Sequence, residues 1–143
     1  MSDSTSVDAQ RPQTPLPRPT TLSKPYWDAC REGKLTVQKC SDCGTLFFIP
    51  QPCCSGCMSE NFEWVESAGR GTLYSFTTVY RPQQPSFEVP YTVVVVELDE
   101  GYHMLSNLVG VEPEDVKIGL PLEVVFEERS EEITLPLFRV RAE

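Results

Sequence analysis

Five of the six cysteines in this 143-residue chain lie in the stretch CSDCGTLFFIPQPCCSGC, between residues 40 and 57. Four of them form two C-x-x-C pairs separated by ten residues, Cys40 with Cys43 and Cys54 with Cys57. A C-x-x-C turn directs both sulfurs into one concavity, so two such turns bring together the four thiolates of a tetrahedral Zn²⁺ site. The spacing therefore predicts a metal site, with zinc as the expected ion and iron as the alternative.

The predicted metal is structural rather than catalytic, because four sulfurs leave no coordination position for water or substrate. A catalytic zinc usually has histidine or carboxylate ligands and one open position. The chain contains a single histidine, His103, far from the cysteines in the sequence. Since a cysteine nucleophile needs a nearby base, neither Cys–His catalysis nor an independent zinc hydrolase is expected.

The two remaining cysteines are not predicted to bind the metal. Cys53 could replace its neighbour Cys54 as the ligand, in a C-x₃-C pair with Cys57, but the symmetric two-residue spacing favours Cys54. Cys30 lies on the apolar face of a predicted helix, where it is expected to be a small core residue. A disulfide or a dithiol redox pair is a minor alternative, because the sequence indicates neither an oxidising compartment nor a βαβ context.

The charge of the chain is distributed unevenly. The net charge is −9; residues 1–81 contain eight basic and eight acidic side chains, whereas residues 82–143 contain four basic and thirteen acidic ones. An acidic half repels a phosphate backbone, so nucleic-acid binding is not expected. The basic side chains of the first half that are available to an anionic ligand are Arg31, Lys34, Lys39, Arg70 and Arg81.

The N-terminal sequence MSDSTSVDAQRPQTP has neither the basic start nor the apolar run of a secretory signal. No stretch approaches the roughly eighteen apolar residues of a membrane-spanning helix. The expected location is therefore the reducing cytoplasm, without a membrane partner.

The segments before and around the cysteines divide into an arm and a metal-binding region. Residues 1–22 are rich in Ser, Thr, Pro and Gln, and are predicted to be disordered or to wrap a partner. In residues 23–67, a helix with Tyr26 and Trp27 on its apolar face is expected to end at Gly33. A short strand LTVQ then leads into the first cysteine pair, and an edge strand FEWVES follows the second.

Residues 68–143 have the pattern of a five-stranded closed barrel such as the OB-fold. In the first strand, TLYSFTTVY, alternation places Tyr74, Phe76 and Tyr80 on one face, and these aromatics are expected in the barrel core. The strand YTVVVVEL is expected to be buried on both faces. A nucleic-acid module in which the same aromatics stack on bases is the less favoured alternative.

A series of motifs extends over residues 24–141. They are Y-W-x-A-x-R-E-G-x-L, C-x-x-C-G, a proline-bearing spacer with C-x-x-C, W-V-E-S-A-G-R-G-T-L-Y-S-F-T, E-L-D-E-G, L-V-G-V-E-P-E-D-V-K-I-G and T-L-P-L-F-R. In combination they resemble the DUF35 family, acyl-CoA-associated OB-fold proteins with a rubredoxin-like zinc ribbon. The departure from a typical member is Cys53 beside the expected ligand Cys54.

The resemblance implies a mainly β protein with an N-terminal helix, a rubredoxin-like zinc ribbon and a five-stranded OB-fold barrel. It implies a non-catalytic accessory subunit of a thiolase-superfamily complex, with structural zinc on this chain and a CoA thioester as shared ligand. A MaoC-type enoyl-CoA hydratase or an aldolase is the alternative partner. The candidate contacts to CoA phosphates are Arg31, Lys34, Lys39 and Arg70.

Overall fold

The computed structural model describes residues 15–141, so residues 1–14 of the predicted arm and the last two residues of the predicted barrel region lie outside the described residues. The regular elements of the described residues are one α-helix, eight strands and a 3₁₀ turn (Pro113–Asp115). They are α1 (Lys24–Arg31), β1 (Leu35–Cys40), β2 (Leu46–Phe47), β3 (Phe62–Ser67), β4 (Arg70–Val79), β5 (Tyr91–Leu98), β6 (His103–Leu108), β7 (Pro121–Glu128) and β8 (Thr134–Val140).

The helix α1 has the apolar face and the glycine stop that the sequence predicts. Tyr26 and Cys30, one turn apart, are buried. Gly33 follows the helix with φ +79°, and its N–H donates to the carbonyl of Cys30 at 3.0 Å. Burial raises the pKa of the Cys30 thiol to about 12, so the thiol stays protonated at neutral pH. Within residues 15–141, no helix is both long and apolar enough to cross a membrane.

The cysteine region is built on a three-stranded antiparallel sheet with the order β2-β1-β3. β1 pairs with β3 along its whole length, from Leu35 opposite Ser67 to Cys40 opposite Phe62. The buried Gln38 side chain of β1 donates to the Gln51 carbonyl at 2.7 Å and accepts from the Gln51 N–H at 2.8 Å. This paired bond fixes the spacer between the two cysteine pairs against the sheet.

The other five strands form a closed barrel in the order β4-β5-β6-β8-β7. All neighbouring pairs are antiparallel except β6 with β8, which is parallel. The 3₁₀ turn lies in the connection between β6 and β7, where the sequence shows its longest break between strands of the second half. The predicted five-stranded OB-fold barrel is confirmed.

The expected aromatic core face of β4 is wrong, because a β-bulge at Tyr74 breaks the alternation. Leu73 pairs with the inward-facing Val96, whereas Ser75 already pairs with Val95, so Tyr74 is the extra residue. A bulge reverses which residues face inward beyond it. Before the bulge Leu73 faces inward, so its neighbour Tyr74 faces outward and is 57% exposed; Tyr80, beyond the end of β4, is 67% exposed. Phe76 pairs with the inward-facing Val94 but is still 37% exposed.

The outer surface of β4, β5 and β6 carries an exposed apolar patch. On β5 only one face is fully buried, and Val95 on the other face is half-buried, so the expected burial on both faces is wrong. Val95 pairs with Leu105 of β6, which is 66% exposed. Tyr74 packs on the ring of His103, with 4.6 Å between the ring centroids. We call Tyr74, Val95, His103 and Leu105 the outer patch.

The helix, the ribbon sheet and the barrel share one hydrophobic core. Buried Tyr26 and Leu35 belong to the same cluster as Val94 and Phe138 of the barrel. The junction is fixed by Glu100, whose carboxylate accepts hydrogen bonds from the Ser67 hydroxyl at 2.9 Å and the Ala68 N–H at 2.7 Å. The cysteine region is thus held against one side of the barrel.

Candidate metal centre

The structure brings together the four sulfurs that the C-x-x-C spacing predicts. The Sγ atoms of Cys40, Cys43, Cys54 and Cys57 all lie within 4.8 Å of one another. Cys40 Sγ lies 3.5 Å from Cys57 Sγ, and Cys43 Sγ lies 3.6 Å from Cys54 Sγ. A tetrahedral zinc with Zn–S bonds of about 2.3 Å separates its sulfurs by about 3.8 Å, whereas a disulfide needs about 2 Å. The arrangement fits a metal ion rather than a disulfide.

The first metal-binding turn, residues 40–45, surrounds the Cys40 sulfur with backbone donors. The N–H groups of Asp42 and Cys43 each lie 3.4 Å from Cys40 Sγ. The chain then turns back, and the N–H of Gly44 donates to the Cys40 carbonyl at 3.0 Å. Gly44 has φ +80°, which glycine adopts without steric cost. We call this segment the first knuckle.

Residues 54–59, the second knuckle, repeat this backbone. The N–H groups of Gly56 and Cys57 lie 3.2 and 3.4 Å from Cys54 Sγ. The hydrogen bond from the Cys57 N–H, and to a smaller extent the one from the Gly56 N–H, lowers the pKa of the Cys54 thiol. The N–H of Met58 donates to the Cys54 carbonyl at 3.0 Å, as Gly44 does in the first knuckle. Met58 has φ +65°, so a side chain occupies the conformation that glycine has in the other turn.

The electrostatics of the site favour a bound cation. Hydrogen bonding to Thr45 lowers the pKa of the Cys43 thiol to about 6. The Ser59 N–H lowers the pKa of Cys57, but the neighbouring Cys43 and Cys40 outweigh it and raise that pKa to about 12. Neighbouring thiolates repel one another, so they cannot all be charged unless a positive charge compensates them. Four thiolates at these distances are stable together only around a metal ion, which deprotonates its sulfur ligands.

Asp42 connects the two knuckles, a role that the sequence does not indicate. Its carboxylate accepts hydrogen bonds from the Ser59 hydroxyl and from Asn61 Nδ2, the latter at 3.3 Å. These bonds lower the pKa of the Asp42 carboxyl. An acidic residue inside a C-x-x-C turn carries no sequence signal for partners seventeen and nineteen positions away.

Cys53 is half-buried and is not part of the four-sulfur group. The chain direction reverses within the second knuckle, and only Cys54 has its sulfur directed at Cys43. The donor set of four sulfurs fits zinc, and it fits iron as well.

The four basic candidates for phosphate contacts lie on separate elements, and all are exposed. Arg31 is at the end of α1, and its Nη1 lies 3.7 Å from Asp28 Oδ1. Lys34 lies between α1 and β1, and Lys39 lies in β1. Arg70 begins β4, opposite Glu123 of β7 in the ladder.

Two family models match the chain. The model for the rubredoxin-like zinc ribbon domain of ChsH2 matches residues 27–63, and the model for the C-terminal OB-fold domain of ChsH2 matches residues 64–127. The boundary between the two matched regions falls within β3, next to the junction that Glu100 fixes.

Curated relatives include a probable enoyl-CoA hydratase alpha subunit of Thermomonospora curvata, 39% identical over 94% of this chain and 43% of that protein. The benzoylsuccinyl-CoA thiolase subunit BbsA of Geobacter metallireducens is 38% identical over 50% of this chain and 48% of that protein. The chain thus spans less than half the length of both relatives.

A solved structure described as "Ltp2-ChsH2(DUF35) aldolase" contains a chain that is 39% identical. The match has a TM-score of 0.79 and covers 87% of this chain and 98% of that one. Fold, metal-site spacing and sequence therefore agree, and this chain belongs to the DUF35 family, with a ChsH2-type zinc ribbon followed by an OB-fold.

Proposed function

We propose that this chain is a zinc-binding, non-catalytic subunit of an enzyme complex that acts on CoA thioesters, with a thiolase-superfamily protein as its partner. The observation that carries the proposal is the outer patch, where large apolar side chains stay exposed on a folded barrel. The names of the relatives indicate the chemistry: a hydratase subunit, a thiolase subunit and an aldolase. The partner would contribute the groups that cleave or form a C–C bond.

The metal in this proposal has a structural role. Four thiolate ligands fill the coordination sphere of a tetrahedral zinc, so the ion has no position at which to activate water. It would instead hold the two knuckles together and provide folding energy to the ribbon. Iron is the alternative occupant, and elemental analysis of the purified protein distinguishes the two. The proposed ligands are Cys40, Cys43, Cys54 and Cys57.

The outer patch has the composition of a docking surface. Tyr74 and Leu105 are more than half exposed, and Val95 lies between their strands. Contiguous exposed apolar surface on a folded domain marks an interaction site. The cores of protein interfaces are enriched in aromatic side chains and poor in charge. A partner subunit that covers this patch would bury Tyr74 and Leu105 together.

The Cys30 thiol and the His103 imidazole do not form a nucleophile–base pair within residues 15–141. The Cys30 thiol is buried and protonated. The ring of His103 contacts Tyr74, and its Nε2 lies 3.7 Å from a Glu97 carboxylate oxygen. A nucleophile needs its base within hydrogen-bond reach. This arrangement supports placing the catalytic groups on the partner.

The basic side chains differ in how available they are to the phosphates of a shared CoA ligand. Asp28 already partly neutralises Arg31. Among residues 15–141, Lys34, Lys39 and Arg70 have no acidic partner within 4.0 Å. We therefore propose these three as the stronger candidates for phosphate contacts.

Nucleic-acid binding stays disfavoured although aromatic rings are exposed. Tyr74 and Tyr80 are accessible for stacking. Residues 68–141, however, contain twelve acidic and six basic side chains, which leaves the barrel strongly negative. Single-strand binders need a positive groove along the backbone of the nucleic acid.

The proposal is tested by co-expressing the chain with a thiolase-superfamily protein encoded beside it and measuring co-elution and CoA-thioester turnover. Leu105→Glu places a charge in the outer patch and is expected to weaken the complex at least tenfold. Ile118→Glu is the matched control, because Ile118 is 62% exposed but lies outside the patch. Isothermal titration gives both affinities.

The proposal is wrong if the two proteins never co-elute and turnover is the same with and without this chain. The name of the Thermomonospora curvata relative favours a second candidate partner, an enoyl-CoA hydratase, for which we propose the MaoC type. Running the same titration with a hydratase and with an aldolase assigns the partner. Equal weakening by Leu105→Glu and Ile118→Glu would remove the outer patch from the interface.

A further inference from the structure

A groove of about 1120 Å³ opens at one end of the barrel, away from the cysteines. It lies between the β4–β5 loop, the segment after β6 and the β7–β8 hairpin. Its apolar lining includes Phe87, Pro90, Tyr91, Val109, Leu135 and Leu137. We call it the barrel-end groove.

The N-terminal segment of the chain forms one wall of this groove. Pro15, Leu16 and Pro17 are part of the lining, although about 70 residues separate them from the β4–β5 loop that forms another wall. Leu16 and Pro17 are half-buried, whereas Arg18 and the next residues are exposed. The apolar part of the segment is thus the part in the groove.

The sequence of that segment suits an extended ligand. Residues 12–19 read PQTPLPRP, with proline at four of eight positions. Proline-rich sequences favour the polyproline II conformation, which loses little entropy when it binds. Such segments dock in grooves lined by aromatic rings. The groove offers Phe87 and Tyr91, stacked with 5.8 Å between their ring centroids.

Charge supports the same occupant. Residues 9–27 contain Arg11, Arg18 and Lys24 and no acidic residue. Glu88, Glu127 and Arg129 line the groove, and Arg129 forms an ion pair with Glu127 at 2.7 Å, so these three side chains carry one net negative charge. A cationic proline-rich segment is therefore attracted to this end of the barrel.

We propose that the barrel-end groove is a binding site for a proline-rich extended segment, and that residues 15–19 of this same chain dock there. The Leu16 side chain is the apolar anchor, and the flanking prolines hold the backbone extended. A second proline-rich segment binds at this wall only by displacing residues 15–19. The site does not depend on the proposed partner subunit, because the outer patch lies on different side chains.

The occupant is tested on the full, isotopically labelled chain by nuclear magnetic resonance. We expect nuclear Overhauser contacts between the Leu16 methyls and the rings of Phe87 and Tyr91. The variant Leu16→Asp should lose them while the barrel signals stay in place, because Leu16 is outside every strand. Absence of these contacts in the wild-type chain would overturn the proposal.

The affinity of the groove is then measured by titrating the chain into a labelled peptide of residues 9–20. A tethered segment competes at millimolar effective concentration. The peptide should therefore bind the full chain carrying Leu16→Asp at least tenfold tighter than wild type. Adding Tyr91→Ala should weaken this binding at least tenfold. Adding Tyr80→Ala, an exposed tyrosine outside the groove, should change it less than twofold.

Equal peptide affinity for wild type and Leu16→Asp, or binding to neither, would overturn the proposal. So would octanoyl-CoA binding that perturbs Tyr91 in both chains without any peptide binding, because the groove would then belong to an acyl chain. These outcomes are separate from the co-elution test, since neither titration contains a partner protein.

Discussion

The two knuckles of the ribbon have the same backbone and different sequences, CSDCGT and CSGCMS. In each, two N–H groups face the sulfur of the first cysteine, and the residue after the second cysteine donates to the first cysteine's carbonyl. In each, that residue has positive φ, as Gly44 in one knuckle and Met58 in the other. The two turns therefore share one backbone geometry around their sulfurs although their sequences differ.

The two glycines are placed differently because the knuckles face each other unequally. A Cβ on Gly56 would lie 3.1 Å from Thr45 Oγ1 of the first knuckle, whereas a Cβ on Gly44 would meet nothing within 4 Å. Gly56 thus allows the two knuckles to lie close together, and Gly44 allows the left-handed conformation of its turn. The residue equivalent to Gly56 in the first knuckle is Asp42, which reaches across to Ser59. In the second knuckle the glycine is therefore at the contact with the first knuckle, and Met58 occupies the left-handed position.

The largest effect is expected from removing a sulfur of one knuckle. Cys54→Ser should abolish stoichiometric zinc binding and unfold the ribbon, because metal binding supplies its folding energy. Cys40→Ser should do the same from the other knuckle. Elemental analysis and the thermal unfolding transition measure both. Undiminished metal content in either variant would contradict the four-sulfur site.

Cys53→Ser is the matched control for Cys54→Ser, since the two cysteines are neighbours and only Cys54 belongs to the group. It should keep full metal content and an unchanged transition. Loss of metal in Cys53→Ser but not in Cys54→Ser would show that the second knuckle binds through a C-x₃-C turn.

The sulfur cluster could be predicted from the sequence because C-x-x-C is a local pattern with one geometric solution. The helix stop at Gly33 was predictable for the same reason, since it depends on the conformation of one residue. The Asp42 bonds to Ser59 and Asn61 were not, because they form only after the two knuckles have met.

In the barrel, strand number and closure followed from the hydrophobic pattern, but the face of β4 did not. Period-two alternation predicts faces only while the register is uninterrupted. The bulge at Tyr74 is imposed by pairing with β5, and no residue type in TLYSFTTVY signals it. The outer patch could not be predicted because Leu73 rather than Tyr74 faces the core, and the bulge then puts Tyr74 and Phe76 on different faces.

The barrel-end groove lies beyond sequence reasoning for a further reason. Its walls come from three segments that are distant in the chain, and only the closed topology brings them together. The proline-rich composition of residues 12–19 was visible, but composition alone favours a solvated arm.

A smaller effect than sulfur loss is expected from changing the turn residue of the first knuckle. Gly44→Met introduces a side chain at φ +80°, which costs about 1 kcal/mol relative to glycine. The apo turn does not bear this cost, so the zinc dissociation constant should rise about fivefold. Competition with a chromophoric chelator measures it. An unchanged constant would show that the first knuckle relaxes out of the left-handed conformation.

The smallest effect, of opposite sign, is expected at the equivalent position of the second knuckle. Met58 is 76% exposed, so Met58→Gly removes little packing and relieves the left-handed strain. Glycine's greater freedom in the unfolded turn offsets part of this gain, which leaves about 0.5 kcal/mol, or a zinc dissociation constant roughly twofold lower. Met58→Ala is the control, since it removes the side chain but keeps the strain, and it should leave the constant unchanged. If Met58→Ala tightened zinc binding as much as Met58→Gly, the methionine side chain rather than its backbone would be the source of the difference between the knuckles.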